Sequence, residues 1–267
     1  MDAVEIVFGD TAQVAEGGGT YGSRSITVVG AAISIALDRV VEKARRLAAH
    51  KLECADRDVV FEAGRVTVAG TNRAVTFGAI ADAAHRGHDV PDGFEPGLNT
   101  AASFDPDEFN YPAGAHLCTV DVDRETGQVR VLSYAAVDDV GRAINPMIVE
   151  GQIHGVVVQG LGQALSERIV WDPETGHLLT GPMLDYGAPR ADEVPSFDLA
   201  LVEFPSLRNP LGVKGAGESG TIAATVAAVN AVLDALTPLG VTAIDPPLTP
   251  ERVWRAIAAA KGRFSSD

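Results

Sequence analysis

The sequence predicts an α+β fold, mixed sheets packed with helices, from three observations. Two stretches alternate apolar and polar residues on both sides of a turn, "VVFEAGRVTVAG" and "HLCTVDVDRETGQVRVLSYAAV". Between and after them run segments whose apolar residues recur at helical spacing. No internal repeat or low-complexity tract interrupts this pattern.

In order along the chain, "VEIVF" (4–8) alternates like a short strand and leads into the glycine-rich "GDTAQVAEGGGTYGSRS". Leu37, Val40, Val41, Ala44, Leu47 and Ala48 then mark one face of an amphipathic helix reaching about Leu52, with Asp38, Arg39, Glu42, Lys43, Arg45 and Arg46 opposite. The first hairpin follows, its turn at Ala63–Gly64, and Thr76 is placed to cap a helix over "FGAIADAAHR". Residues 87–114 are rich in Gly, Pro, Asp and Asn and read as a long crossing loop. The expected organisation is 1–86, then this loop, then 115–267.

The second hairpin turns at Asp123–Gly127. Its D-x-D-x-E spacing resembles a calcium loop, but the glycine comes one place late and Leu132 stands where a bidentate glutamate is needed. After Asn145–Pro146 a helix carries Gly151, Gly155, Gly160 and Gly162. Glycines inside a helix cost stability, so another backbone or a ligand is expected to approach that face. "RIVWDPETGHLL" reads as a hairpin, "FDLALVEF" and "GVTAID" as strands, and Thr249–Pro250–Glu251 as the start of a last helix.

Composition narrows the function. The 267 residues are 46% hydrophobic and carry a net charge of −15, which disfavours broad binding to nucleic-acid phosphates. Cys54 and Cys118 have no CxxC spacing and read as buried or partly buried thiols. "VVGAAISIAL" is too short for a membrane span, and no secretory leader is visible, so a cytoplasmic location is expected. His85 and His88 lack a third metal-binding partner; His116 and His154 could line a site but read better as hydrogen-bonded structural histidines.

Two glycine loops, each ahead of a helix, carry the candidate chemistry. "EGGGTYGSRS" offers the hydroxyls of Thr20, Ser23 and Ser25 with several backbone N–H groups, which suits a phosphate- or pterin-type ligand. In "LGVKGAGESGT", residues 215–220 match G-x-G-x-x-G, which opens a dinucleotide-binding reading. No strand leads directly into these glycines, however, and Glu218 would direct negative charge at a pyrophosphate. A carboxylate there serves either the helix end or proton transfer as a general base held by glycines. Gln152, Gln159 and Gln163 on the glycine-laced helix add polar groups suited to a large ligand.

"GTYGSRS", "YPAGAH", "VDDVGRAINPMIVEGQIHGVVVQGLGQAL", "DYGAPRADEVPSF", "GVKGAGESGT" and "PLTPERVWRAI" occur in this order in a known family. The sequence resembles the large subunits of the molybdenum hydroxylases: xanthine dehydrogenase, aldehyde oxidase and, most closely, aerobic carbon monoxide dehydrogenase. The resemblance implies molybdopterin cytosine dinucleotide, with molybdenum held by the pterin dithiolene and not by side chains. It implies oxidative hydroxylation of an aldehyde, an N-heterocycle or CO with water as oxygen source, and Glu218 as base toward the Mo–OH oxygen. Gln152 corresponds to the glutamine beside the metal's oxo ligand. Thr20, Tyr21, Gly22, Ser23 and Ser25 become cofactor contacts, with Lys214 and Gly217 as further neighbours. Family large subunits are about three times as long, and the sequence resembles their C-terminal part. The resemblance therefore implies a companion N-terminal molybdopterin-binding chain, an iron–sulfur subunit and an FAD subunit. A catalytically incomplete fragment, or a non-catalytic binding or structural piece, is the alternative.

Overall fold

The architecture comes from a computed structural model that describes residues 4–14, 17–62 and 64–264. Helix α1 (Ala31–Lys51) follows one π-helical turn, Ile26–Gly30, and so begins earlier than the amphipathic pattern alone indicates. Strands β1 (Val59–Glu62), β2 (Arg65–Val68) and β3 (Ala74–Thr76) form an antiparallel sheet in that order. Ala63 of the expected turn lies outside the described residues. Thr76 caps α2 (Phe77–Arg86): its hydroxyl accepts the Ala79 N–H at 3.2 Å. These elements form the smaller of two units, residues 27–107 with 209–211. Its core joins the apolar stripe of α1 (Ala44, Leu47, Ala48) to Val59, Val66, Ile80 and Phe94. Residues 87–112 carry no helix or strand.

The larger unit comprises residues 1–26, 108–208 and 212–267. Residues 1–26 thus group with the C-terminal elements rather than with 27–86, because the glycine loop packs on segments far along the chain. Strands β4 (Ala113–Val122) and β5 (Val129–Asp139) are the long hairpin, with an irregularity at Thr119/Val120. Strand β6 (Phe197–Val202) pairs with β5 in parallel, so this sheet is mixed. A parallel partner needs a crossover, and α3 (Pro146–Leu165) with the short α4 (Met183–Tyr186) lies in it. Asn145 caps α3 by accepting the Ile148 N–H at 3.3 Å, and Pro146 opens it. Helices α5 (Ser219–Leu236) and α6 (Pro250–Phe264) complete the unit.

Helices α3 and α5 meet closely, and the glycines make this possible. A Cβ on Gly160 would lie 2.7 Å from the Ala224 Cβ and 2.9 Å from the Thr221 carbonyl. One on Gly220 would lie 2.6 Å from Val156. Thr221 Oγ1 donates to the Val156 carbonyl at 2.9 Å, fixing the crossing. The core beneath holds Tyr134, Ile153, Val157, Leu161, Ala224 and Ala228; a second core joins Val232, Leu236 and Leu248 to the α6 residues Val253 and Ile257. By length and composition Ser219–Leu239 is apolar enough to cross a membrane, but its Ala224–Ala228–Val232–Leu236 face is buried in these protein cores.

Two expected strands and one expected hairpin do not form as ladders. "VEIVF" gains no ladder partner, and Ile6 and Phe8 are exposed. "GVTAID" buries Val241 without pairing, and "RIVWDPETGHLL" makes one bridge, Trp171–Leu178. Alternation supplies a face but not a neighbouring strand, and a ladder requires both.

Candidate active site

The α3–α5 crossing brings the first half of α3 beside the loop that precedes α5. A Cβ on Gly217 would stand 3.3 Å from Ser23 Oγ and 3.5 Å from Gln152 Oε1, so both groups converge on this glycine. Glu218 occupies the N-cap position of α5, yet its side chain makes no capping bond. Its Oε2 instead accepts a hydrogen bond from Ser23 Oγ at 3.0 Å. A capping hydrogen bond therefore does not account for the carboxylate. Glu218 and Gln152 are both exposed.

The glycine loop is shaped by two consecutive left-handed residues, Gly22 (φ +59°) and Ser23 (φ +52°). Such a φ is uncommon for a residue with a side chain. Gly215 makes it possible by close approach: a Cβ there would sit 2.2 Å from the Ser23 carbonyl oxygen. Thr20 Oγ1 and Ser25 Oγ bond each other at 2.7 Å across the same loop. Tyr21 is exposed; its hydroxyl accepts from Arg24 at 2.9 Å, and the guanidinium lies 4.8 Å from the ring centroid.

Lys214 is placed differently from the other candidates. Its ammonium bonds Asp139, whose carboxylate also accepts the N–H groups of Gly141 (2.8 Å) and Phe204 (3.1 Å). Burial works to raise the Asp139 pKa, but hydrogen bonds from Lys214, Gly141 and Phe204 outweigh it and hold the carboxyl below its ordinary value. Asp139 thereby ties the end of β5 to the loop leading to Glu218. Sequence reasoning missed it, although an Asp138–Asp139 pair ending an apolar strand is a signal: buried carboxylates require partners.

Asp138 is met by His116. The ring Nε2 lies 3.3 Å from Asp138 Oδ2, and Nδ1 lies 2.8 Å from the Tyr134 hydroxyl. His116 is structural, as expected. His154 bonds the Glu150 carbonyl within its own helix at 2.8 Å. His85 and His88 are exposed, and no group of three or more potential metal ligands occurs among the described residues. Gly160 and Gly162 meet protein atoms, whereas a Cβ on Gly151 or Gly155 would meet nothing within 4 Å. Strand β6 ends at Val202 and no strand runs into Gly215, so the strand–loop–helix of a dinucleotide site is not built here.

The two glycine loops thus bring hydroxyls and the Gln152 amide around a space that a single Cβ on Gly217 would enter. The chain belongs to the molybdopterin cofactor-binding domain family, whose sequence model matches residues 1–195. It is 40% identical to the carbon monoxide dehydrogenase large chain of Hydrogenophaga pseudoflava over 96% of its own length and 32% of that chain. Solved structures agree. Reconstituted CO dehydrogenase from Oligotropha carboxidovorans superposes with a TM-score of 0.85 at 35% identity, over 92% of this chain and 30% of that one. Quinoline 2-oxidoreductase from Pseudomonas putida 86 gives 0.83 at 41%, over 91% and 31%. The chain thus spans about a third of the length of the relatives it matches.

Proposed function

We propose that this chain supplies part of the catalytic subunit of a molybdenum hydroxylase, in which Glu218 is the general base. The observation that carries the reading is the convergence of Ser23, Gln152, Gly217 and Glu218 on one spot. These residues come from three separated segments, and the carboxylate makes no hydrogen bond to the helix it precedes.

The residues fit a molybdopterin-type cofactor, proposed in its cytosine dinucleotide form. Thr20, Ser25 and the open backbone around Gly22 would hold its polar edge, and the Gln152 amide would donate to it. A side chain on Gly217 would press on Ser23 Oγ and Gln152 Oε1, and the glycine keeps that space clear. When bound, the cofactor supplies the two-electron redox centre. This chain's own part is to orient that group and to accept a proton at Glu218. Oε1 makes no hydrogen bond among the described residues and is the oxygen that takes it.

Oxidation of CO, an aldehyde or an N-heterocycle with water as oxygen source follows from this reading. The names of the relatives point the same way: the similar proteins include a carbon monoxide dehydrogenase, a nicotine 6-hydroxylase and a quinoline oxidoreductase. Turnover would require the N-terminal molybdopterin-binding portion together with iron–sulfur and FAD subunits. Support comes from the exposed apolar side chains of the larger unit, where Phe109, Tyr111, Phe204 and Leu207 stand open. Interfaces with partners favour such aromatic residues.

The test is Glu218→Gln in the complex purified with its partners. Loss of turnover with molybdenum content retained is the expected result, and undiminished turnover rejects the base role.

A further inference from the structure

We infer that Ser23 is a positioning residue for Glu218 and not a ligand of the cofactor, an inference that rests on the base reading above. Besides Tyr21, three hydroxyls line the glycine loop, and the structure separates them. Thr20 and Ser25 bond each other. Ser23 donates its single hydroxyl proton to Glu218 Oε2, across 195 positions of sequence. A hydroxyl has one proton to give, so Ser23 cannot also donate to an anionic ligand.

Glu218 needs such a partner. It is exposed, it lies at a helix start without capping that helix, and no other described side chain bonds its carboxylate. Unheld, it would spread over several rotamers, and only some would present an oxygen usefully. A hydroxyl donating to a carboxylate makes a short, charge-assisted bond that selects one of them.

The surroundings of Ser23 are built for this contact. Its left-handed backbone follows Gly22, and its carbonyl oxygen and Cβ lie against Gly215, where an added Cβ would fall 2.2 and 2.6 Å away. Gly217 leaves room for Oγ to reach past toward the carboxylate. The two glycines of G-A-G-E thus have distinct duties. Gly215 seats the Ser23 backbone, and Gly217 clears the path of its hydroxyl. An uncommon conformation retained at a site needs such over-determination by its neighbours.

Ser23→Ala and Ser23→Gly both remove the hydroxyl, and glycine also relieves the left-handed backbone. In the complex with its partners, both variants should lower kcat roughly ten-fold or more, with KM and molybdenum content unchanged. Ser23→Ala should cost nothing further on a Glu218→Gln background. A readout independent of activity is the unfolding midpoint of the full chain in a cycle with Glu218→Ala. Ser23→Ala should lower the midpoint only when Glu218 is present. Equal shifts in both backgrounds, zero included, overturn the inference. So does loss of molybdenum with kcat per metal unchanged, which makes Ser23 a cofactor ligand. If Glu218→Gln abolishes turnover while the Ser23 variants turn over normally, this inference alone falls. If Glu218→Gln itself turns over normally, the base reading falls and takes this one with it.

Discussion

Lys214 is bonded to Asp139, and through that pair the loop carrying Glu218 is anchored to the end of β5. The pair is nearly buried, and the carboxylate is further satisfied by two backbone N–H groups. Removing one partner from such a cluster leaves the rest uncompensated.

The Asp139 pKa is held down in the folded chain, so the unfolded chain binds the proton more readily. Stability from this group is therefore present above the ordinary aspartate pKa of about 3.9 and is lost as pH falls through and below it. Urea titrations between pH 6 and 3 should show a component of acid destabilisation that Asp139→Asn abolishes. The variant should also be less stable than the parent at pH 6.

Glycines of α3 should divide by what stands opposite them. Gly160→Ala places a methyl 2.7 Å from the Ala224 Cβ and should destabilise by about 1–3 kcal/mol through overpacking of the helix crossing. Gly151→Ala and Gly155→Ala meet nothing and should stabilise the chain by up to about 1 kcal/mol through helix propensity. Thermal unfolding of the three variants decides this, and a uniform effect would contradict the packing described.

At the site, Gly215→Ala should act on the glycine loop and not on the core. Its Cβ would overlap the Ser23 carbonyl, a backbone atom that can yield only if the loop moves. Far-UV circular dichroism should be unchanged, while turnover of the partnered enzyme falls at least ten-fold.

The cysteines should react unequally. Burial pushes the Cys118 thiol up to about 11, and the side chain packs in the β4–β5 core. Cys54 is only half-buried. A disulfide reagent at pH 8 should modify Cys54 in the native chain and reach Cys118 only after unfolding, since the thiolate is the reacting form.

Much of this chain was legible in its sequence because the relevant signals are local. The periodicity of α1, the Thr76 cap, the helix start after Asn145–Pro146 and the Asp123–Gly127 turn each depend on residues a few places apart. The ordered motifs also reach the family. Alternation misled at "VEIVF" and "GVTAID", since a strand also needs an edge to pair with.

The sequence by itself determined which residues could do chemistry: a carboxylate among glycines, a hydroxyl-bearing loop and a glutamine on a glycine-laced helix. Only the tertiary structure decided their employment. It turned Lys214 to Asp139, joined the Glu218 carboxylate to Ser23 rather than to its own helix, and split the α3 glycines into those packed against protein atoms and those that face open space. The physical reason is range. Helix and turn preferences are settled within a few residues, whereas a hydrogen bond between positions 23 and 218 exists only once packing brings the two segments together.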